Sequence, residues 1–170
     1  MGKLIVVGAD PGGTSGVCAG AIPEETMFGD APYQGIEILL YDQYDDEAEG
    51  IHAWKIVEVV YQFCNQTDYP IPLVCEQFSL RKFIRGPDIL SPERINGLIR
   101  EEIRKASIPI PLFYQMPAHA KEAVTNQRLK AWDLYIRGKE HARDAERHMI
   151  HFIRRARKIP ALRKEAWGRE

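Results

Sequence analysis

The order in which strand-like and helix-like segments follow one another most constrains the fold of this 170-residue chain. Apolar runs at 4–9 and 14–21 predict two strands. The Pro-Gly-Gly turn at 11–13 joins them, so the chain is expected to begin with a β-hairpin. A third strand is predicted over 35–44, and helical spacing appears first at 47–66. Three strands before the first helix exclude a regular alternation of strands and helices.

The rest of the chain predicts a short buried strand over 73–76, a helix over 91–107, a strand over 110–114, and helices thereafter, the last over 140–158. The whole order is that of the RNase H-like fold, an α/β architecture in which helices flank a five-stranded mixed sheet. At 45% hydrophobic residues, the chain is expected to form one domain over 1–170, with a flexible basic tail at 159–170.

The cysteines and the N-terminus predict a cytoplasmic protein. Cys18, Cys64 and Cys75 lie in apolar patterns without the spacing of a metal site, which is typical of reduced thiols. The first apolar run is too short for a signal peptide. No stretch has the length of a membrane span, so no membrane association is expected.

Charge is divided unequally along the chain, although the net charge is only -1. The first 78 residues hold 13 acidic residues against two basic ones, whereas the remainder holds 11 acidic against 21 basic. This asymmetry favours a basic surface that follows a phosphate backbone. The alternative is that the helices of the second half carry basic residues only as their solvated face.

Three acidic residues occupy positions suited to metal-dependent phosphodiester chemistry. Asp10 ends the first apolar run, Glu76 ends the strand at 73–76, and Asp144 lies near the start of the last helix. Divalent metals that also bind water and phosphate need several carboxylate oxygens on rigid elements. Each position also has a simpler interpretation, because an Asp before Pro-Gly often only forms a turn and an acid near a helix start is favoured by the dipole.

These acidic positions carry a family resemblance. The segments 8–12, 75–78 and 141–145, whose sequences are GADPG, CEQF and HARDA, resemble the three acidic blocks of RuvC-type Holliday junction resolvases, and 117–124 resembles the stretch before that family's last helix. The chain is most similar in pattern to the divergent members that bacteriophages encode.

The resemblance implies a metal-dependent endonuclease with two Mg²⁺ ions per active site, for which Mn²⁺ would substitute. Asp10, Glu76, His141 and Asp144 would be the catalytic and metal-binding residues, with His141 either a metal ligand or a group acting on water or on the scissile phosphate. His148, one turn after Asp144, could join the same helical face, but a solvated or core-edge histidine is the favoured interpretation.

The resemblance also implies that the substrate is branched DNA, such as a four-way junction or fork, and that the protein is a homodimer with two active sites. The loop after Glu76 combines positive charges with an aromatic ring, which suits phosphate contact and base stacking. Lys121 and Lys130 match basic positions of the family. The predicted DNA-contacting residues are therefore Arg81, Lys82, Phe83, Arg85, Lys121 and Lys130.

Three alternatives remain at this stage. One is another RNase H-like nuclease that acts on RNA or on an RNA:DNA hybrid. A second is a phosphotransferase of the sugar-kinase or actin type, because 8–16 resembles the first phosphate loop of those enzymes, but they need two related domains and this chain is too short. The third is a DNA-binding module without catalytic activity, which the presence of all the acidic positions disfavours.

Overall fold

The protein is described by a computed structural model over residues 2–28, 35–45, 48–78 and 87–168. Its centre is a five-stranded sheet in the order β3-β2-β1-β4-β5. The strands are β1 Lys3–Asp10, β2 Ser15–Pro23, β3 Glu37–Tyr44, β4 Leu73–Glu76 and β5 Leu112–Gln115.

The strand pairing makes the sheet mixed. β1 and β2 form the predicted antiparallel hairpin, and β3 pairs with β2, also antiparallel. β4 runs parallel to β1, with Ala9 opposite Cys75, and β5 runs parallel to β4. Because parallel strands end at the same edge, Asp10 and Glu76 both lie at the carboxyl edge of the sheet's centre. The predicted RNase H-like architecture is confirmed.

Helices cover both faces of this sheet. Their bounds are α1 Glu24–Phe28, α2 Glu49–Phe63, α3 Ser91–Lys105, α4 Pro117–Ala123, α5 Asn126–Ala131, α6 Glu140–Lys158 and α7 Pro160–Trp167, with 3-10 turns at Cys64–Gln66 and Pro87–Leu90. In the part of the chain that the structure describes, none of these helices has the length and apolar character needed to cross a membrane.

Alternation along the strands divides the core into two layers. Residues such as Leu4 and Val6 of β1 pack with α6, whereas their neighbours Ile5 and Val7 pack with α2 and α3. Successive side chains of a strand point to opposite faces, so a central strand that is apolar on both faces is buried on both. Helix α6 therefore lies on the same face of the sheet as every second residue of β1.

Glycines allow α6 to approach the sheet closely. A Cβ atom added at Gly8 would lie 2.2 Å from the carbonyl oxygen of Ala145, and one added at Gly16 would lie 2.0 Å from the carbonyl carbon of His141. One added at Gly20 would lie 2.7 Å from the sulfur of Met149. Real Cβ contacts are never this short, so glycines at these positions fix the height of α6 above β1 and β2.

The C-terminal segment differs from the predicted flexible tail at 159–170. Residues Pro160–Trp167 form α7, and its last residue, Trp167, is only 3% exposed. The indole ring packs edge-on against Phe152 at 5.9 Å between centroids, and its Nε1 donates to the carbonyl of Ile5 at 3.4 Å. The segment is therefore a short helix with a buried aromatic anchor, and its Arg163 donates to the carbonyls of Ala156 and Arg157.

We expect Trp167→Ala to lower the free energy of unfolding by about 3 kcal/mol, because it removes a large buried ring and leaves a cavity beside Phe152. Urea denaturation followed by circular dichroism measures this. Glu165→Ala, an exposed change on the same helix, is the matched control and should have little effect. Equal stability of the two variants would contradict the anchoring role of Trp167.

Candidate active site

Two strand ends and one helix bring the predicted catalytic residues together. Glu76 ends β4, and its backbone carbonyl accepts a hydrogen bond from the side-chain Nδ2 of Asn96 on α3, at 3.1 Å. Asp10 ends β1 opposite Gly16 in the hairpin register. Helix α6 crosses above this edge and supplies His141 and Asp144 from its first two turns. Rigid elements on three sides thus position the site.

The hairpin turn that follows Asp10 is held by a small polar cluster. The hydroxyl of Ser15 donates to the carbonyl of Gly12 at 3.1 Å and accepts from the backbone N–H of Gly12 at 3.2 Å. His52 of α2 is fully buried, and its Nδ1 lies 2.9 Å from the same hydroxyl. Nothing in the sequence pattern singles out Ser15 or His52, because they act on the backbone of the turn and follow no motif spacing.

Asp10 and His141 form a direct pair. The Nδ1 atom of His141 lies 2.9 Å from Oδ2 of Asp10. The hydrogen bond to Asp10 raises the pKa of His141. Burial raises the pKa of Asp10, and the neighbouring negative charges of Glu76 and Asp144 raise it further against the opposing effect of His141.

Asp144 is held by two cations. The Nζ atom of Lys121, on α4, lies 2.7 Å from Oδ2, and Arg147, one turn along α6, contacts Oδ1. Arg147 also donates to the carbonyl of Val124 and to the side chain of Asn126. Lys121 is half exposed, whereas the Arg147 side chain is largely buried. The sequence placed Lys121 among DNA-contacting residues, and the structure places it directly at the acidic site.

His148 lies at the acidic site, a placement that the sequence analysis considered but did not favour. It was interpreted as a solvated or core-edge histidine, but only 1% of it is exposed and its Nε2 lies 3.0 Å from Oε2 of Glu76. Helical spacing is the signal that pointed to this placement, since His148 follows His141 by two turns and Asp144 by one. All three residues therefore lie on one side of α6, above the sheet edge.

The donor set at this edge has the chemistry of a magnesium site. The negative charges of Glu76 and Asp144 both act on Asp10, so the three carboxyl groups share one electrostatic environment, and carboxylate oxygens are the ligands that Mg²⁺ prefers. In the described ranges, no three His, Cys, Asp or Glu side chains are arranged as a ready metal cluster. Each carboxylate instead contacts a nitrogen-bearing side chain: His141 for Asp10, His148 for Glu76, and Lys121 with Arg147 for Asp144.

The predicted DNA-contacting residues fall into two groups. Arg81, Lys82, Phe83 and Arg85 lie outside the residues that the structure describes. Lys130, at the end of α5, is exposed, and its Nζ lies 4.9 Å from the centre of the Tyr135 ring. Lys121 and Lys130 thus stand on the two short helices beside α6, with Lys121 the nearer to the acidic site.

Several other arginines in the basic half of the chain have structural partners. Carbonyls at the end of α4 accept hydrogen bonds from three of them: Arg128 donates to Ala123 at 2.6 Å, Arg154 donates to the same carbonyl at 2.8 Å, and Arg147 donates to Val124 at 3.1 Å. Cations at a helix C-terminus satisfy its free carbonyls. Arg147 and Arg154 thus hold the end of α4, and with it Lys121, against α6, and Arg128 links the end of α4 to α5.

Comparison with known proteins extends this description. No protein-family model matches the chain, and no curated protein matches it in sequence. Solved structures do match. The structure of Thermus thermophilus RuvC aligns with 91% of this chain, and the alignment includes 96% of the RuvC chain, at 16% sequence identity and a TM-score of 0.65. The T. thermophilus RuvC complex with a Holliday junction substrate matches over the same shares at 15% identity and a TM-score of 0.62.

The structure of the yeast mitochondrial Holliday junction resolvase Ydc2 aligns with 88% of this chain, and the alignment includes 77% of the Ydc2 chain, at 11% sequence identity and a TM-score of 0.53. Identities this low establish a shared fold. The predicted resemblance to RuvC-type resolvases is accordingly confirmed at the level of the fold.

Proposed function

We propose that this chain, which has the fold of the RuvC-type Holliday junction resolvases, is a metal-dependent endonuclease that cleaves four-way junctions or other branched DNA. One observation carries the proposal: Asp10, Glu76 and Asp144 come from three separate elements to one sheet edge, although they are widely separated in sequence. Gathering three acids is electrostatically unfavourable, so a binding function explains it better than stability does.

The proposed cofactor is two Mg²⁺ ions, with Mn²⁺ as a substitute, and the proposed ligands are Asp10, Glu76, His141 and Asp144. Divalent ions at such a site activate water for attack on phosphorus and stabilise the departing 3' oxygen. The Nδ1 atom of His141 lies 2.9 Å from Oδ2 of Asp10, and this hydrogen bond raises the pKa of His141. His141 is therefore proposed as a ligand once neutral, or as a proton donor near the phosphate while charged.

Lys121 has a second proposed role. Its ammonium group neutralises Asp144 in the DNA-free protein, and a half-exposed flexible side chain is free to turn to a phosphate instead. Lys130, Arg81, Lys82, Phe83 and Arg85 are proposed to contact the flanking DNA. The charge of the second half of the chain supports this, since 21 of its residues are Lys or Arg.

A homodimer is proposed because two symmetric nicks in a junction need two active sites related by a two-fold axis. The most exposed large apolar side chains support a contact surface on α2 and α3. The described part of the chain has six exposed large apolar side chains. Four of them lie on α2 and α3: Ile51, Trp54, Tyr61 and Leu98. Light scattering at micromolar concentration should give about twice the mass of one 19.4 kDa chain.

The activity is tested by incubating labelled four-way junction, Y-fork, linear duplex and RNA:DNA hybrid with the protein and Mg²⁺. We expect paired symmetric nicks in the junction. Glu76→Gln keeps the side-chain shape and removes its charge, and it should lower cleavage on the order of 1,000-fold or more while junction binding survives. Glu165→Gln, an exposed change of the same type, should cleave like the native protein.

Other outcomes of this assay contradict the proposal at different levels. Cleavage mainly of the hybrid would preserve the chemistry and assign the protein to RNA-directed nucleases. Equal cleavage by the native protein and by Glu76→Gln would place the active site elsewhere. Binding without any cleavage of the four substrates would favour a DNA-binding module.

A further inference from the structure

The buried imidazole of His148 makes its one described hydrogen bond to a proposed metal ligand. Its Nε2 lies 3.0 Å from Oε2 of Glu76. A Glu76 carboxylate that binds a divalent ion can only accept hydrogen bonds, and this role requires the Nε2–H group of His148 as the donor. The other ring nitrogen, Nδ1, is buried and has no hydrogen-bond partner among the described residues. The ring is therefore fixed by packing and directed at Glu76 alone.

Glu76 needs such a partner for a physical reason. Sheet pairing and Asn96 hold its backbone, but its side chain has three rotatable bonds and is 24% exposed at the sheet edge. Of the described contacts, only the one from His148 fixes the carboxylate, and it leaves Oε1 without a hydrogen bond. The protein thus orients Oε2 of Glu76, and Oε1 remains available to bind a metal ion.

We infer that His148 is a positioning residue, which holds the Glu76 carboxylate in the orientation that binds the divalent ion. This inference rests on the proposed function, because it treats Glu76 as a metal ligand. Hydrogen bonds from outside the ligand set commonly orient metal-binding carboxylates, and their loss weakens metal binding.

Burial distinguishes His148 from Lys121, which also contacts a carboxylate of the acidic site. Lys121 contacts Asp144 but is half exposed, so it can exchange that contact for a phosphate. His148 is enclosed between α6 and the sheet and cannot reach DNA. Its contact is therefore a permanent part of the protein and acts only through Glu76.

The test compares His148→Met, which removes the donor, with His148→Gln, whose amide N–H stands near the position of Nε2. Calorimetry on the DNA-free proteins measures affinity for Mn²⁺ and Mg²⁺ without any need for cleavage. We expect His148→Met to bind metal about 10- to 100-fold more weakly and His148→Gln to stay close to the native affinity. His151→Met, on the same helix and away from Glu76, should bind metal like the native protein.

Histidine ¹⁵N spectra report the bond itself. In the native protein His148 should show a protonated Nε2, and Glu76→Gln should shift that signal. Urea denaturation identifies any variant that loses its fold.

Three results would overturn the inference: native metal affinity in His148→Met, equal losses in the Met and Gln variants, or a His148 signal insensitive to Glu76→Gln. Equal losses would make His148 itself a ligand or a purely structural residue. Failure of the proposed function looks different. If the native protein's metal affinity depended on Glu76 and on His148 but the protein cleaved no substrate, the nuclease proposal would be removed and the positioning role would stay supported.

Discussion

Gly16→Ala is expected to abolish most of the cleavage activity although it adds a single methyl group outside the acidic set. Gly16 lies opposite Asp10 in the β1–β2 register, and an added Cβ would lie 2.0 Å from both the carbonyl carbon and the carbonyl oxygen of His141. Because these are backbone atoms, no side-chain rotation relieves the overlap, and the start of α6 must move.

That movement would displace His141 from Asp10 and would carry Asp144 with it. A misplacement of about 1 Å in a catalytic group costs on the order of 100-fold in rate. The overlap should also lower the free energy of unfolding by about 3 kcal/mol. Junction cleavage and urea denaturation measure the two effects separately.

The matched control is Gly13→Ala, in the turn of the same hairpin, where nothing lies within 4 Å of an added Cβ. It should leave both cleavage and stability near the native values. If Gly16→Ala behaved like Gly13→Ala, the close approach of α6 to β2 would be disproved.

Glu146→Gln is expected to stabilise the protein at alkaline pH by several kcal/mol. Glu146 lies on α6, is completely buried, and both of its carboxyl oxygens lack hydrogen-bond partners among the described residues. Burial raises the pKa of Glu146 to about 8, against the opposing charges of Arg143 and Arg147. Glu146 in turn contributes to the raised pKa values of Cys18 and Tyr41.

The sign of the pH dependence follows from this shift. The native state keeps the Glu146 proton up to about pH 8, whereas the unfolded chain loses it near pH 4.5. The native state therefore binds more protons throughout this window, and stability falls as the pH rises through it. The full penalty, on the order of 4 kcal/mol, is present above pH 8.

Glutamine has the same shape and no charge, so Glu146→Gln should remove this penalty. Urea denaturation at about pH 5, 7 and 8.5 should show little difference from the native protein at the lowest pH and the largest gain at the highest. Glu165→Gln, which alters an exposed carboxylate, should show no such trend. A destabilised Glu146→Gln at pH 8.5 would mean that the buried carboxylate has a favourable partner.

The predictable parts of this protein are those that local rules determine. Alternating and helical patterns placed all five strands and the long helices α2, α3 and α6 close to their observed bounds, and 140–158 coincides with α6. Strand ends and helix spacing also placed Asp10, Glu76, His141 and Asp144 where the structure gathers them, because parallel neighbouring strands end at one edge.

The same local rules failed where a partner distant in sequence decides the outcome. Basic composition suggested a free tail at 159–170, but Trp167 finds a buried position beside Phe152, and only the packed core provides that position. His148 seemed an ordinary helix residue because its partner, Glu76, is 72 positions away.

The sequence by itself determined the order of the elements and which acids stand at their ends, since both follow from the spacing of apolar and charged residues along the chain. Only the tertiary structure decided what each acid contacts: His141 for Asp10, His148 for Glu76, and Lys121 with Arg147 for Asp144. The physical reason is that the height and rotation of α6 over the sheet are set by backbone contacts at Gly8 and Gly16, and such contacts leave no periodic trace in a sequence.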